Sequence, residues 1–376
     1  MKRKLVIFSI IFIMSFFLTS TMIYAEEINV TSESAIVIEQ KTGRILFSKN
    51  IDEQRAMAST TKIMTAIVAI EHGNLNDKVK VSKNASGIEG SSIWLEENEE
   101  LTLEELLYGL MLRSGNDAAY AIGEHIGGGD IENFIRMMND KAKEINALNT
   151  SFANPHGLDD NNHYTTAHDL AKITAYAMNN DVFKTIVSTK KKNISWQNHQ
   201  WNRALHNKNK ILWNYEGGNG VKTGYTSKAG KCLVSSAYRN EMQLITVVLK
   251  SNNIWDDSTA LFDYAFDTYQ PYQVVSEDEY LRSIPVKDGI RERVRVYSKK
   301  EIEIPIKEIE KQKVKVKLAL PKTIEAPILK EKIIGKLELY LADEKIDEAE
   351  IYVKEDIPKK NTKNFLDKII DHWLEN

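Results

Sequence analysis

The chain of 376 residues has a single cysteine, Cys232. An intramolecular disulfide is therefore excluded, and Cys232, in the strand-like run Lys231-Cys232-Leu233-Val234, is expected to be a buried, inert thiol. No excess of either charge is present: the formal net charge is −3, which argues against nucleic acid as a general partner. No H-E-x-x-H motif occurs, and His156, His163 and His168 fall in a polar loop without the i, i+4 spacing of a metalloprotease, so no metal or other cofactor is expected. Long apolar runs are also missing. The nearest, Leu5 to about Leu18, is shorter than the roughly 20 residues of a spanning helix. It follows Lys2-Arg3-Lys4 and precedes Thr19–Ala25, the three-part layout of a secretory signal. Residues 1–25 are thus expected to direct export with cleavage after Ala25, in preference to a retained anchor, although Ile23 departs from the small-x-small pattern.

What is present centres on Ala58-Ser59-Thr60-Thr61-Lys62-Ile63-Met64-Thr65-Ala66. From Met57 to Ile70 there is no glycine or proline, and after Lys62 the run is almost wholly apolar, which predicts a core-surrounded helix with Gly73 as its C-terminal cap. Ser59 and Lys62 lie three apart, so their side chains share a face with β-carbons about 5–6 Å apart. A serine needs a neighbour to take its proton, and a lysine can do so when burial or a second cation lowers its pKa. A helix start also favours the negative charge that develops in acyl transfer. S-x-x-K alone occurs by chance in many proteins, so the remaining motifs matter.

Ala35–Ile38 and Arg44–Phe47 read as a hairpin. Thr102-Leu103-Glu104-Glu105 is a capping box opening a helix with Leu106, Leu107, Leu110 and Met111 on its apolar face. A second helix runs from Ala118 to about Ile126, which places Ser114-Gly115-Asn116 at a helix junction where side chains can project into a cleft. Another helix is expected over 167–178. Residues 190–214 read as an exposed connection with short strands, whose aromatic and basic residues suit ordinary surface better than a sugar or peptide cleft. Glycine-rich Glu216–Gly220 then feeds Val221-Lys222-Thr223-Gly224-Tyr225-Thr226, followed by a hairpin of Lys231–Tyr238 and Met242–Leu249. A second K-T-G, Lys41-Thr42-Gly43, lies in a polar turn and is discounted, because only Lys222-Thr223-Gly224 opens a strand able to pair with an extended substrate. One more helix is predicted over 256–266, with a boundary at Gln270-Pro271-Tyr272. Beyond it, Ile302/Ile304/Ile306, Val314/Val316/Leu318/Leu320, Leu337/Leu339/Leu341 and Ile351/Val353 alternate with polar residues, which predicts a small β-rich domain over 272–357. In 358–376, Phe365, Leu366, Ile369, Ile370 and Trp373 recur at helical spacing, a face that suits a membrane interface or a protein surface equally.

Ser59-x-x-Lys62, Ser114-x-Asn116 and Lys222-Thr223-Gly224 stand in the order of the penicillin-binding enzymes and serine β-lactamases. Ser-Gly-Asn-Asp-Ala-Ala, Asn-Pro-His-Gly-Leu and Lys-Thr-Gly-Tyr-Thr make the chain resemble the low-molecular-weight D-alanyl-D-alanine carboxypeptidases most closely. The resemblance implies an α/β (α+β) β-lactamase/transpeptidase-like catalytic domain over 26–271, with a helical cluster on an antiparallel sheet, plus the small β-rich domain. It implies Ser59 as nucleophile, Lys62 as base and Ser114 as proton relay to the leaving nitrogen. Asn116 would hold the peptide backbone, Lys222 and Thr223 the substrate carboxylate with Thr226 assisting, and the N–H groups of Ser59 and Tyr225, beside Gly224, the oxyanion. The implied partners are peptidoglycan stem peptides ending in D-Ala-D-Ala and β-lactams that mimic them, with peripheral membrane contact through the C-terminal segment. One departure is that Ser251–Asp257 lacks the arginine with which many relatives grip the terminal carboxylate. A β-lactamase is disfavoured by the second domain and the want of a dedicated deacylation glutamate. A non-catalytic wall-docking protein is disfavoured by intact Ser59, Lys62 and Lys222.

Overall fold

The computed structural model describes residues 28–360 together with 373 and 374. The export segment, and all but residues 358–360, 373 and 374 of the amphipathic C-terminal segment, lie outside the described residues. The central element is a five-stranded antiparallel sheet in the order Ile45–Lys49, Ser34–Glu39, Met242–Ser251, Gly230–Arg239, Gly218–Thr226. Successive side chains on a strand point to opposite faces. Ile36 and Ile38 accordingly join the core beneath the helical cluster, while Ala35 and Val37 pack with Phe262 and Phe266 of the helix Ile254–Thr268. Both faces of the sheet are covered. The hairpin between its two longest strands turns on Asn240 and Glu241, both at positive φ as an I′ turn requires, and Cys232 is buried within the sheet.

The helical cluster holds the expected elements, with instructive differences. The predicted continuous helix over 57–70 is instead a 3-10 turn, Ala58–Thr61, leading into the α-helix Lys62–His72. Gly73 follows that helix with φ −113°, so it is not a left-handed cap. A β-carbon there would lie 2.5 Å from Leu103 and 2.6 Å from Ile126, so close packing is what requires glycine. The capping box forms as read: Thr102 Oγ1 accepts from Glu105 N, and Glu105 accepts from Thr102 N. Its helix passes into a π-helical turn, Gly109–Arg113, that ends on Ser114 at φ 67° before the helix Asn116–Ile126. Helices Ile131–Glu144 and Asp181–Ser188, which the sequence reading leaves unassigned, complete the cluster alongside Ala167–Ala177.

Residues 190–214 depart from the exposed connection expected of them. The expected short strands form, Lys191–Ile194 pairing with Arg203–His206, but Arg203 and Leu205 of this hairpin and Asn207, Asn209, Ile211 and Leu212 after it are buried. The reason is Arg203, whose guanidinium takes the Glu99 carboxylate at 2.6 and 2.7 Å and also donates to the carbonyls of Ile93, Trp94 and Ser195. A buried charge persists only when its donors are matched in this way.

Past the helix Ile254–Thr268, the described residues up to 360 are mainly β, with one 3-10 turn, Glu308–Lys313. Gln270–Val275 pairs with Ile302–Ile306, and a six-stranded sheet runs Val314–Ala319, Ile333–Leu341, Glu344–Val353, Arg293–Ser298, Tyr280–Lys287, Ile324–Glu325. The alternating apolar sets identified in the sequence lie on these strands, and Ile302, Ile304, Ile306, Leu337, Leu339, Ile351 and Val353 form one core. The discounted Lys41-Thr42-Gly43 turn faces this β-rich part: Lys41 pairs with Glu301, and the neighbouring Arg44 pairs with Glu310 at 2.8 Å.

Candidate active site

The helix Lys62–His72 brings Lys62 into the molecule at zero exposure. Its Nζ lies 2.9 Å from Ser59 Oγ, 2.7 Å from Asn116 Oδ1 and 2.6 Å from the carbonyl of His156. The orientation of Asn116 follows from its other atom, since Nδ2 donates to Glu89 O at 2.7 Å. Two of the three partners of Lys62 can therefore only accept. They occupy the two N–H bonds of a neutral amine and leave its lone pair toward the Ser59 hydroxyl. Burial, and next the neighbouring Lys222, hold the Lys62 amine well below the ordinary lysine range. Ser59 and Lys62 thus place a hydroxyl and a buried amine in contact.

Ser59 is presented by strained backbone. Ala58 has φ 49°, and its carbonyl accepts from Thr61 Oγ1 at 2.7 Å. Gly157 packs so closely that a β-carbon would come within 2.0 Å of Ala58 O, and one on Gly224 would lie 3.1 Å from Ser59 N. These glycines let the Asn154–Leu158 loop and the strand Gly218–Thr226 close on the nucleophile from two sides. That strand is the last of the five-stranded sheet, so its outer edge is available for a substrate in extended form. Lys222 is buried and donates only to Thr223 O, at 3.0 Å, among the described residues. Burial and the nearby Lys208 bring its pKa down to about 7.

The structure thus brings Ser59, Lys62, Asn116, Lys222, Thr223 and Gly224 to one place, with Tyr225 exposed at the strand edge. Ser114 sits at the left-handed junction two residues before Asn116, but Lys62 is bonded to Asn116 and not to Ser114 Oγ among the described residues. Thr226 differs most from its expected use. Its hydroxyl donates to Asp159 at 2.7 Å and accepts from Ala229 N, so it holds the 154–159 loop against the strand. The Ser251–Asp257 segment is occupied with the fold: Asp257 accepts from the amides of Thr31 and Ser32 and from Ser251 Oγ.

Four residues that sequence reasoning passed over complete the site. Buried Asp117 accepts from the amides of Ile93 and Leu95 and from Ser92 Oγ, fixing the loop beside Asn116. Its place directly after Ser114-Gly115-Asn116 was the available signal. His156 supplies a backbone carbonyl to Lys62, which no side-chain pattern reveals. His163 accepts from Ala153 N through Nδ1 at 3.0 Å, so its Nε2 carries the proton and donates to Thr61 Oγ1 at 2.7 Å. The three loop histidines point to different tasks, His168 lying 3.3 Å from Asp52. Lys208, just past the strand Arg203–His206, adds a third amine near Lys62 and Lys222.

A family model described as D-alanyl-D-alanine carboxypeptidase matches residues 21–253, and one described as penicillin-binding protein 5, C-terminal domain, matches residues 269–359. D-alanyl-D-alanine carboxypeptidase DacF of Bacillus subtilis (strain 168) is 34% identical over 353 residues, 92% of this chain and 90% of the relative. Penicillin binding protein 5 from Haemophilus influenzae is similar in structure with a TM-score of 0.75 at 29% identity, over 89% of this chain and 99% of that one. A mutant of the Streptomyces K15 DD-transpeptidase reaches a TM-score of 0.61 at 34% identity, over 64% of this chain and 100% of its own. With a serine and a buried lysine in contact at its centre, and these matches along nearly its whole described length, the chain belongs to the D-alanyl-D-alanine carboxypeptidase family of serine peptidases.

Proposed function

We propose that the protein is a serine-type D-Ala-D-Ala carboxypeptidase that removes the terminal D-alanine from peptidoglycan stem pentapeptides through an acyl-Ser59 intermediate, and that β-lactams acylate the same serine. The observation that carries this reading is the 2.9 Å contact of Ser59 with an amine whose other two contacts can only accept. In the first step, Lys62 takes the Ser59 proton as Oγ bonds to the carbonyl carbon of the penultimate D-alanine. The oxyanion is met by the N–H groups of Ser59 and Tyr225, whose approach the bare Cα of Gly224 permits. The proton passes from Lys62, with Ser114 as relay, to the nitrogen of the departing D-alanine as the C–N bond breaks. Water then repeats the sequence and frees the shortened peptide. Lys222 and Thr223 bind the terminal carboxylate, and Asn116 Nδ2 binds the peptide backbone after exchanging the Glu89 carbonyl for a substrate carbonyl. No cofactor is required.

This substrate lies outside the cytoplasmic membrane, and a cleaved export signal over 1–25 is the route we assign. The β-rich domain over 272–357 serves as spacer or docking module for the catalytic domain over 26–271, and residues 358–376 as a peripheral membrane contact. The deciding experiment incubates the mature protein with a stem pentapeptide and a β-lactam in turn, with mass spectrometry of both products. Loss of one alanine from the peptide and a drug adduct on Ser59 are expected, both abolished by Ser59→Ala. An adduct on Ser114 or any other serine ends the assignment.

A further inference from the structure

A cavity opens beside the reaction centre, lined by Ser92, Trp94, Arg113, Trp196, Asn202 and Arg203 among others. It begins one residue from Ser114 and one residue from Ser91, whose carbonyl accepts the Asn116 amide at 2.7 Å. Its walls are rigid. Asp117 ties down Ser92, Ile93 and Leu95 from one side, and Arg203 clamps Ile93, Trp94 and Glu99 from the other. Arg203 also covers the Trp196 ring at 4.6 Å, and His199 stacks on that ring at 4.2 Å.

Two groups in this frame have no use in the fold. Trp94 is held at φ 63° with 73% of its surface exposed, although a free tryptophan is the side chain that most favours burial against something apolar. Arg113 makes no hydrogen bond or ion pair among the described residues, and a second cation, Lys208, whose amide donates to the carbonyl of the adjacent Leu112 at 3.3 Å, has no acid partner there either. Two like charges left without an intervening carboxylate repel, and a bound anion relieves that repulsion.

We propose that this cavity is a subsite for the acyl side of the stem peptide, in which Arg113 binds a carboxylate carried two residues before the D-Ala-D-Ala pair while Trp94 covers the peptide chain. The inference rests on the carboxypeptidase reading. The leaving group is a single D-alanine whose one carboxylate goes to Lys222 and Thr223, so a second carboxylate site serves only the chain retained on Ser59. Two or three extended residues cover roughly 7–10 Å. A γ-linked D-glutamate at that position carries a free α-carboxylate, and a guanidinium pairs with carboxylate in bidentate fashion.

The test compares wild type with Arg113→Gln and Arg113→Lys on three substrates: a pentapeptide with a free α-carboxylate on the γ-linked D-glutamate, the same peptide amidated at that carboxylate, and diacetyl-Lys-D-Ala-D-Ala. Wild type is expected to prefer the free carboxylate by about tenfold or more, mainly through KM, the size of a charge-assisted hydrogen bond. Arg113→Gln should lose that preference and Arg113→Lys retain part of it. Trp94→Ala should raise KM for the pentapeptides more than for the tripeptide. A preference that survives Arg113→Gln overturns the subsite. So does an equal loss on the tripeptide, which would assign Arg113 to the terminal carboxylate or to folding. If wild type neither cleaves any of the three nor forms a Ser59 adduct with penicillin, the carboxypeptidase reading itself fails, and the subsite with it.

Discussion

At the scale of single residues, the proposed acyl transfer needs an uncharged amine, and burial holds Lys62 well below the ordinary lysine range. Lys62 is surrounded by protein, its two N–H groups meet acceptors, and the positive Lys222 lies near. Lys62→Arg keeps a cation at this point but removes a group that can be neutral, since guanidinium is not deprotonated in proteins. Acylation by penicillin should fall by about a hundredfold or more, the usual size of lost general-base help. Near-normal acylation by the variant would mean that another group takes the proton.

His163 carries a prediction of opposite kind, on stability. Burial brings its pKa down to about 4, and protonation would end its acceptance of the Ala153 amide. In the unfolded chain a histidine takes up its proton near pH 6.5. Between those values the unfolded state binds a proton that the folded state refuses, so this contribution to stability is complete above about pH 6.5 and is lost as pH falls toward 4. The loss is on the order of 3 kcal/mol at about 1.4 kcal/mol per pH unit. Glutamine can both accept from Ala153 and donate to Thr61 without titrating, so His163→Gln should reduce the drop in the urea midpoint between pH 7 and pH 4.5. Parallel curves for the two proteins would remove His163 from the acid response. His156, with a pKa lowered to about 3, acts in the same direction and sets the residual slope.

At the scale of elements, the nucleophile is positioned by a short 3-10 turn compressed between a loop and a strand. Gly157 has φ 92°, and the carbonyl of Ala58 stands where its side chain would be. Gly157→Ala therefore meets both a backbone conformation unfavourable to L-residues and a steric conflict with backbone that cannot swing aside. It should lower penicillin acylation more than tenfold while the protein stays folded, or destabilise it by about 1–3 kcal/mol, and acylation kinetics together with thermal unfolding report which. Unchanged values in both would show that the loop retreats freely. Gly73 offers a contrast at the same scale: the sequence suggests a cap, but packing against Leu103 and Ile126 is what the position serves.

For the molecule as a whole, the β-rich part supplies none of the groups around Ser59. It meets the rest through surface pairs such as Arg44 with Glu310 and Lys41 with Glu301. Deleting residues 364–376 should therefore leave hydrolysis of a soluble substrate intact while releasing the mature protein from liposomes. A full-length mature protein that fails to sediment with liposomes rules out the membrane contact.

The sequence by itself determined what depends on local pattern. Residues three apart had to share a helical face, so Ser59 and Lys62 were legible as a pair. Alternation exposed the β-rich strands, and T-L-E-E announced its own capping box. Only the tertiary structure decided what depends on groups distant along the chain. The partners that hold Lys62, Asn116 Oδ1 and the His156 carbonyl, lie 54 and 94 residues away, and one is a backbone atom that no residue pattern encodes. The same holds for Thr226, whose hydroxyl goes to Asp159, and for residues 190–214, which polar composition marks as surface and the Arg203–Glu99 pair draws inward. A polar side chain reads as exposed until its partner is known, and that partner is chosen by the fold.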